Sequence, residues 1–220
     1  MNSQIGLSFA ASLRSILRQD PNIVMVGEIR DSETAEIAVR ASLTGHMVLS
    51  TIHTNSAVST ISRLIDMGID PYLIASSLSC IVAQRLVRRV CRECGEIVPA
   101  REDERKLLQS YGLMESQKLA EAVGVGFFRR EPAEPPPIML TRGKGCGACN
   151  KTGYSGRLAV HEVLAVDESL RRLIAQNRPV SEIETHLAED GFKTMMYDGL
   201  SKVKNGLTTT DEVLKAVSDE

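Results

Sequence analysis

Ile23-Val24-Met25-Val26 is an aliphatic run that ends on Gly27-Glu28, and the charged turn Ile29-Arg30-Asp31 then opens a helix-like segment. An apolar run ending this way is how a buried parallel strand delivers a carboxylate to the carboxyl edge of an α/β sheet. A carboxylate there can orient the water that attacks a γ-phosphate, or hold magnesium through its waters. The same pattern also describes a core strand that ends in a solvated glutamate. A second apolar run, Met47-Val48-Leu49-Ser50, is preceded by His46 and leaves on Thr51-Ile52-His53-Thr54-Asn55. This exit gathers imidazole, hydroxyl and amide groups at one sheet edge, where they can donate hydrogen bonds to phosphate. A histidine beside an apolar run is otherwise an ordinary structural residue.

The other chemically suggestive spacing is in the cysteines. Cys91-Arg-Glu-Cys94 and Cys146-Gly-Ala-Cys149 are two Cys-x-x-Cys knuckles with 51 residues between them. Each knuckle puts two thiolates on one tight turn, and four sulfurs complete a tetrahedral zinc shell. With every coordination position held by sulfur, the site would be structural and not catalytic. The ends of so long a span can meet if residues 96–139 form an excursion. Disulfides are the rival reading, but no export signal points to an oxidising compartment. A redox Cys-x-x-Cys suits less well, since neither pair opens a helix in a thioredoxin-like context. Cys80 lies outside both knuckles, in an apolar stretch, and reads as a buried thiol.

Elements to position these groups are legible in the periodicity. Phe9, Leu13, Ile16 and Leu17 sit at helical spacing ahead of the first strand. A helix from about Glu33 to Leu43 stops at Gly45, and another carries Ala57, Ile61, Leu64 and Ile65 from a Thr54-Asn55-Ser56 entry to Gly68. Pro71 starts a short helix, and residues 81–90 read as a last strand. The alternation predicts an α/β fold with a parallel sheet covered by helices on both faces. The character changes near Arg92. Residues 115–134 have weak periodicity and lead into Pro132, Pro135, Pro136 and Pro137, which predicts a linker or insert; its Phe127-Phe128-Arg129-Arg130 is a candidate contact or a small satellite core. Beyond Asp167 the pattern is helical, with Ser181-x-x-Glu184 and Thr209-x-x-Glu212 as capping boxes and Gly191 and Gly206 as stops.

Composition limits the function classes. A hydrophobic content of 43% over 220 residues supports a real core. A net charge of −2 and four Phe, four Tyr and no Trp give neither the basic footprint nor the stacking platforms of a nucleic-acid binder. The longest uncharged stretch, Pro71 to Gln84, is 14 residues, short of a membrane span. A soluble, cytoplasmic protein is the default expectation.

Several motifs together carry a family resemblance. Arg18-Gln19-Asp20-Pro21 followed by Met25-Val26-Gly27-Glu28-Ile29-Arg30-Asp31 resembles the signature of the type II secretion and type IV pilus assembly ATPases. Thr44-Gly45-His46 through His53-Thr54-Asn55 resembles the histidine box of the same superfamily, and the similarity runs on through Arg63-Leu64 and Asp66-Met67-Gly68 to Ala83-Gln84-Arg85-Leu86-Val87-Arg88-Arg89. The tetracysteine pairing with Asn150-Lys151-Thr152-Gly153-Tyr154-Ser155-Gly156-Arg157 resembles the assembly and secretion branches, and not the retraction branch, which generally lacks the four cysteines. Asn22 is a small departure, since the family usually carries Asp there; Asn keeps the turn geometry.

The resemblance implies the latter half of a RecA-like P-loop NTPase sheet in residues 1–90, a tetracysteine zinc subdomain with a Pro-rich insert in 91–165, and a helical region in 166–220. It implies a hexameric motor using ATP, Mg2+ and Zn2+, with Glu28 polarising the attacking water and His53 coupling the γ-phosphate to sheet movement. Gly27, His46 and Arg30 would be nucleotide-proximal, although Arg30 reads first as a structural partner of Glu33 or Asp31. Arg85, Arg88 and Arg89 would line a subunit interface or a solvated strand end. The implied partner is an integral inner-membrane platform protein, and the implied location is the cytoplasmic face of the inner membrane. No Gly-x-x-x-x-Gly-Lys-Ser/Thr segment occurs in the 220 residues, whereas the family places that loop before the Gly-Glu strand. The chain is therefore expected to be the carboxyl-terminal part of a longer ATPase and to hydrolyse ATP negligibly alone. The alternative is a zinc-stabilised module that docks on the platform protein without hydrolysis.

Overall fold

The computed structural model describes residues 9–114 and 137–217. The linker reading of 115–134, with its Phe127–Arg130 motif and Pro132, Pro135 and Pro136, lies outside the described residues. The chain divides into two compact units that do not follow chain order: one takes residues up to 83 and 162–193, the other 84–161 and 194 onward.

In the first unit, α1 (Phe9–Leu17) leads to β1 (Ile23–Val26), α2 (Ser32–Leu43) and β2 (Met47–Ser50). β1 and β2 pair in parallel, Ile23 with Met47 and Val26 with Ser50. The crossover helix starts because Asp31 accepts hydrogen bonds from the Thr34 amide (2.8 Å) and the Thr34 hydroxyl (3.0 Å), satisfying an orphan donor of the first turn. It stops where Gly45 takes φ +101°, a conformation that L side chains rarely adopt. Val24 and Val26 point into a cluster with Leu13, Phe9 and Leu17 of α1 and Ile37 of α2. Burial of each such side chain is worth about 1.5–3 kcal/mol. Ile23 and Met25 point the other way and are 61% and 81% exposed, as are Met47 at 59% and Leu49 at 48%. The expectation of a strand buried on both sides is thus corrected. Among the described residues, helices cover one face of the β1–β2 pair, so burial alternates along β1.

α3 (Ala57–Asp66) and α4 (Pro71–Ser77) follow, and α6 (Glu168–Ala175) and α7 (Val180–Glu189) return to this unit after α5 (Glu102–Ser110) of the other. α4 packs on α2 and α6, and α3 packs on α7. Asp167 caps α6 through the Leu170 amide (2.8 Å). The predicted Ser181 capping box does not form. α7 starts at Val180 behind Pro179, whose ring fixes the entry φ, and Ser181 therefore falls inside the first turn.

The second unit holds β4 (Gly95–Pro99) and β5 (Met139–Gly143), paired antiparallel, together with α5, α8 (Met195–Lys204) and α9 (Thr210–Val217). Leu108, Leu140, Leu200, Val203 and Val213 form its core. Glu104 is buried among them, and its carboxylate accepts from Arg142 (2.6 Å), the Arg101 amide (2.8 Å) and the Thr210 hydroxyl. Of the Thr209 capping box, half forms: Thr209 accepts weakly from the Glu212 amide (3.4 Å), while the Glu212 side chain goes to Arg88.

The unit boundary falls within two long strands, β3 (Cys80–Val90) and β6 (Tyr154–Ala165), which pair with each other. Residues 81–90 are the strand expected from sequence, but that strand does not extend the β1–β2 pair. Cys80 is exposed, contrary to the buried thiol expected. In β3 the inward positions are Ile81, Ala83 and Val87, which turns Cys80 outward.

Candidate functional site

Glu28 and His53 leave β1 and β2 at the same, carboxyl edge of the pair. The ladder continues past the strands to hold them: the Ile29 amide donates to the Thr51 carbonyl (2.9 Å), and the Thr51 hydroxyl donates to the Gly27 carbonyl (2.7 Å). Gly27 leaves the backbone here open, since a Cβ at that position would meet no atom within 4 Å.

Both carboxylate oxygens of Glu28 are engaged. Arg30 Nη2 lies 2.6 Å from Oε1, and His53 Nε2 lies 3.1 Å from Oε2. Arg30, first, and then His53 hold the Glu28 carboxyl below its ordinary range by donating to the charged form. Arg30 is not bound to Asp31 or Glu33, the two partners expected from sequence. Asp31 is used as the α2 cap, and Glu33 pairs with Arg14 at 2.8 Å. An open depression of about 240 Å³ beside the pair is lined by Ile29, Arg30, Ile52, His53 and Arg63.

His46 is not brought to this edge. It precedes β2, at the amino end of a four-residue strand that spans roughly 13 Å. Its Nδ1 lies 3.1 Å from the Ala41 carbonyl and 3.3 Å from the Thr44 hydroxyl, which ties it to the end of α2.

The sulfurs of Cys91, Cys94, Cys146 and Cys149 all lie within 4.8 Å of one another. Pairing of Gly95 with Gly143 across β4 and β5 closes the long excursion and sets the two knuckles face to face. Gly143 is required there: a Cβ would lie 2.0 Å from the Gly153 carbonyl oxygen. Asn150 and Lys151 adopt left-handed φ of 51° and 61° to turn the second knuckle.

The Sγ separations are 4.0 Å for Cys91–Cys146, 3.8 Å for Cys94–Cys149 and 3.7 Å for Cys146–Cys149, and all five cysteines are free thiols. A tetrahedron with metal–sulfur bonds of about 2.3 Å has edges of about 3.8 Å, so the four residues fit a zinc-sized ion. Amides already point at the sulfurs: Cys146 N–H (3.1 Å) and Gly153 N–H (3.3 Å) at Cys149, and Gly145 N–H (3.3 Å) at Cys94. Those of Cys146, first, and Gly153 bring the Cys149 thiol down to about 6, whereas burial pushes Cys94 up to about 12. Four thiolates this close need a cation to share a site.

Residues 1–215 match the family described as "Type II/IV secretion system protein". The chain belongs to that family. It is 46% identical over 220 residues to the type II secretion system protein E of Pseudomonas aeruginosa, covering all of this chain and 39% of that protein. To the type IV pilus assembly ATPase PilB of Thermus thermophilus it is 46% identical over 215 residues, 97% of this chain and 22% of that one. The pilus retraction motor PilT with bound ADP shares the fold at a TM-score of 0.61 and 25% identity, over 96% of this chain and 44% of PilT. The chain thus spans about two fifths or less of the curated relatives named here.

Glu162 drew no attention from sequence, yet it is buried, and it accepts the amide of Ala57, the first residue of α3. A signal was present. Val160, Glu162 and Leu164 share one register of an alternating strand, and Glu162 is the acid in an otherwise apolar row.

Proposed function

We propose that this chain is the carboxyl-terminal part of an ATP-hydrolysing motor subunit that powers type II protein secretion or type IV pilus assembly. The observation that carries the reading is the Glu28–His53 pair at the carboxyl edge of a parallel strand pair, where α/β folds bind nucleotides. The complete protein would contribute the phosphate-gripping loop and work as a homo-oligomer, a hexamer in our reading. It would act at the cytoplasmic face of the inner membrane against an integral platform protein.

Glu28, held ionised well below neutral pH, is a poor base and a good acceptor, so its role is to orient the attacking water by hydrogen bonding. The water oxygen attacks the γ-phosphorus as the bond to the β–γ bridging oxygen breaks; ADP leaves with that electron pair, and the water's proton passes to an oxygen of the released phosphate. Each Glu28 carboxylate oxygen keeps a further lone pair, so Glu28 can accept the water beside Arg30 and His53. Phosphate oxygens in the adjoining depression would compete with Glu28 for the N–H groups of Arg30 and His53, and we assign the sensing of γ-phosphate to His53. Magnesium would be held through its waters by the Glu28 carboxylate and would supply charge neutralisation to the phosphates. Zinc held by Cys91, Cys94, Cys146 and Cys149 would staple the second unit and take no part in the chemistry. Turnover of the complete protein carrying Glu28→Gln tests the reading, and near-normal hydrolysis would remove it.

A further inference from the structure

Glu162 is 6% exposed and lies 105 residues from the amide it engages: Oε1 accepts Ala57 N–H at 2.6 Å. Ala57 opens the helix that begins four residues after His53. Two neighbouring donors are met locally. Ser56 Oγ accepts the Ser59 amide (3.1 Å), and Ser59 Oγ accepts the Ser56 amide (3.0 Å). The intervening loop is sewn to the same helix, since the Thr54 and Thr60 hydroxyls are 2.8 Å apart and the Thr60 hydroxyl donates to the Ser56 carbonyl (3.2 Å). Burying a carboxylate strips its charge of water, a cost that its hydrogen-bond donors must offset. At the positive end of α3, however, that charge is stabilised by the helix dipole as well as by the N–H.

We infer that Glu162 is a positioning residue: by clamping the amino end of α3 it fixes where the Thr54–Ser56 loop ends and thereby holds the His53 imidazole against Glu28. This deepens the proposed role of His53 and rests on it for the catalytic consequence alone. The placement itself is independent of any nucleotide.

The test uses isotope-labelled full chain and the His53 ring Cε1–Hε1 signal, read at one pH with and without Glu28→Gln. In the parent chain Glu28→Gln moves this signal. In Glu162→Ala the same substitution is expected to move it by less than about a third as much, because the pair is no longer held at 3.1 Å. Glu162→Gln keeps an acceptor and is expected to restore most of the response. Ala57→Pro is a second route that leaves Glu162 intact. It deletes the donated N–H at the first helical position, where proline fits, and the preceding Ser56 is already extended. This variant too should lose the response. His186, in the same unit, serves as the internal reference and should not move. A full response in either Glu162→Ala or Ala57→Pro overturns the inference, as does a Glu162→Gln signal no better than that of Glu162→Ala. In the complete protein, Glu162→Ala should lower kcat by about tenfold or more with KM for ATP unchanged. If Glu28→Gln leaves turnover intact while the ring signals behave as expected, the motor reading has failed and the placement stands.

Discussion

Glu28 Oε2 meets His53 Nε2 at 3.1 Å although 25 residues separate them in the chain. The contact follows from a parallel register that starts with Ile23 beside Met47 and continues past both strands through Thr51. In the complete protein, Glu28→Gln should lower ATP turnover by about 10²–10⁴-fold and leave nucleotide affinity largely unchanged. Steady-state turnover and equilibrium nucleotide binding, measured on the same preparation, check both halves.

Arg30 is the larger of the two influences on Glu28, so the substitutions should rank. In Arg30→Met the Glu28 carboxyl should titrate closer to its ordinary 4.5, and in His53→Ala it should move upward by less. Glu28 keeps its charge, and with it both contacts, until pH falls through the lowered value. Carbon NMR of the labelled carboxylate between neutral and strongly acidic pH reads this out, and a reversed order would contradict the assignment.

Metal analysis of the four-thiolate site should find about one zinc per chain. With metal bound, an alkylating reagent should label Cys80, which is exposed, and spare the other four cysteines. Stripping the metal, or Cys149→Ser, should open all remaining thiols and lower the melting temperature by more than about 10 °C. Mass spectrometry of the labelled peptides and a thermal melt decide it.

Glu212 accepts from the Arg88 amide (3.0 Å) and the Arg88 guanidinium (2.5 Å), and the guanidinium lies 4.2 Å from the Tyr154 ring centroid. Glu212→Gln should cost about 1–2 kcal/mol, a figure discounted because the Arg88 side chain is half exposed and screened by solvent. Arg88, first, holds the Glu212 carboxyl below its ordinary value, so this stability is present above 4.5 and is lost as pH falls through the lowered folded value. Denaturant melts at neutral and acidic pH should show the gap between parent and variant closing on the acid side.

Gly199 sits inside α8, where alanine ordinarily adds up to about 1 kcal/mol. A Cβ there would lie 2.4 Å from Val213 Cγ1, so overpacking wins, and Gly199→Ala should lose about 1–3 kcal/mol. Adding Val213→Ala should cost far less in that background than alone. Chemical denaturation of the four-member cycle measures the coupling.

Local signals read well wherever a single element carried them. The Gly27-Glu28 strand exit, the α2 stop at Gly45 and the α3 entry at Ser56 stand where residue types put them, because caps and glycine conformations are decided within a turn. The two cysteine knuckles meet as their spacing required, although the register that joins them, Gly95 to Gly143, is not a local property. Decisions made by competition between partners were not legible. Arg30 chose Glu28 because Asp31 had been taken by Thr34 and Glu33 by Arg14. Ser181 lost its cap to Pro179, and Glu212 left its own helix for Arg88. The pairing of β3 with β6, and with it the burial of Glu162, depends on residues more than sixty positions apart, a distance over which periodicity says nothing.

The outward row of the β1–β2 pair carries two thioethers, Met25 and Met47, beside Ile23 and Leu49. Peroxide converts an accessible methionine to its sulfoxide and spares one that is covered. The sheet therefore holds its own footprinting reporters: the sulfoxide yield at these two positions reads directly whether a further layer of polypeptide has closed over that face.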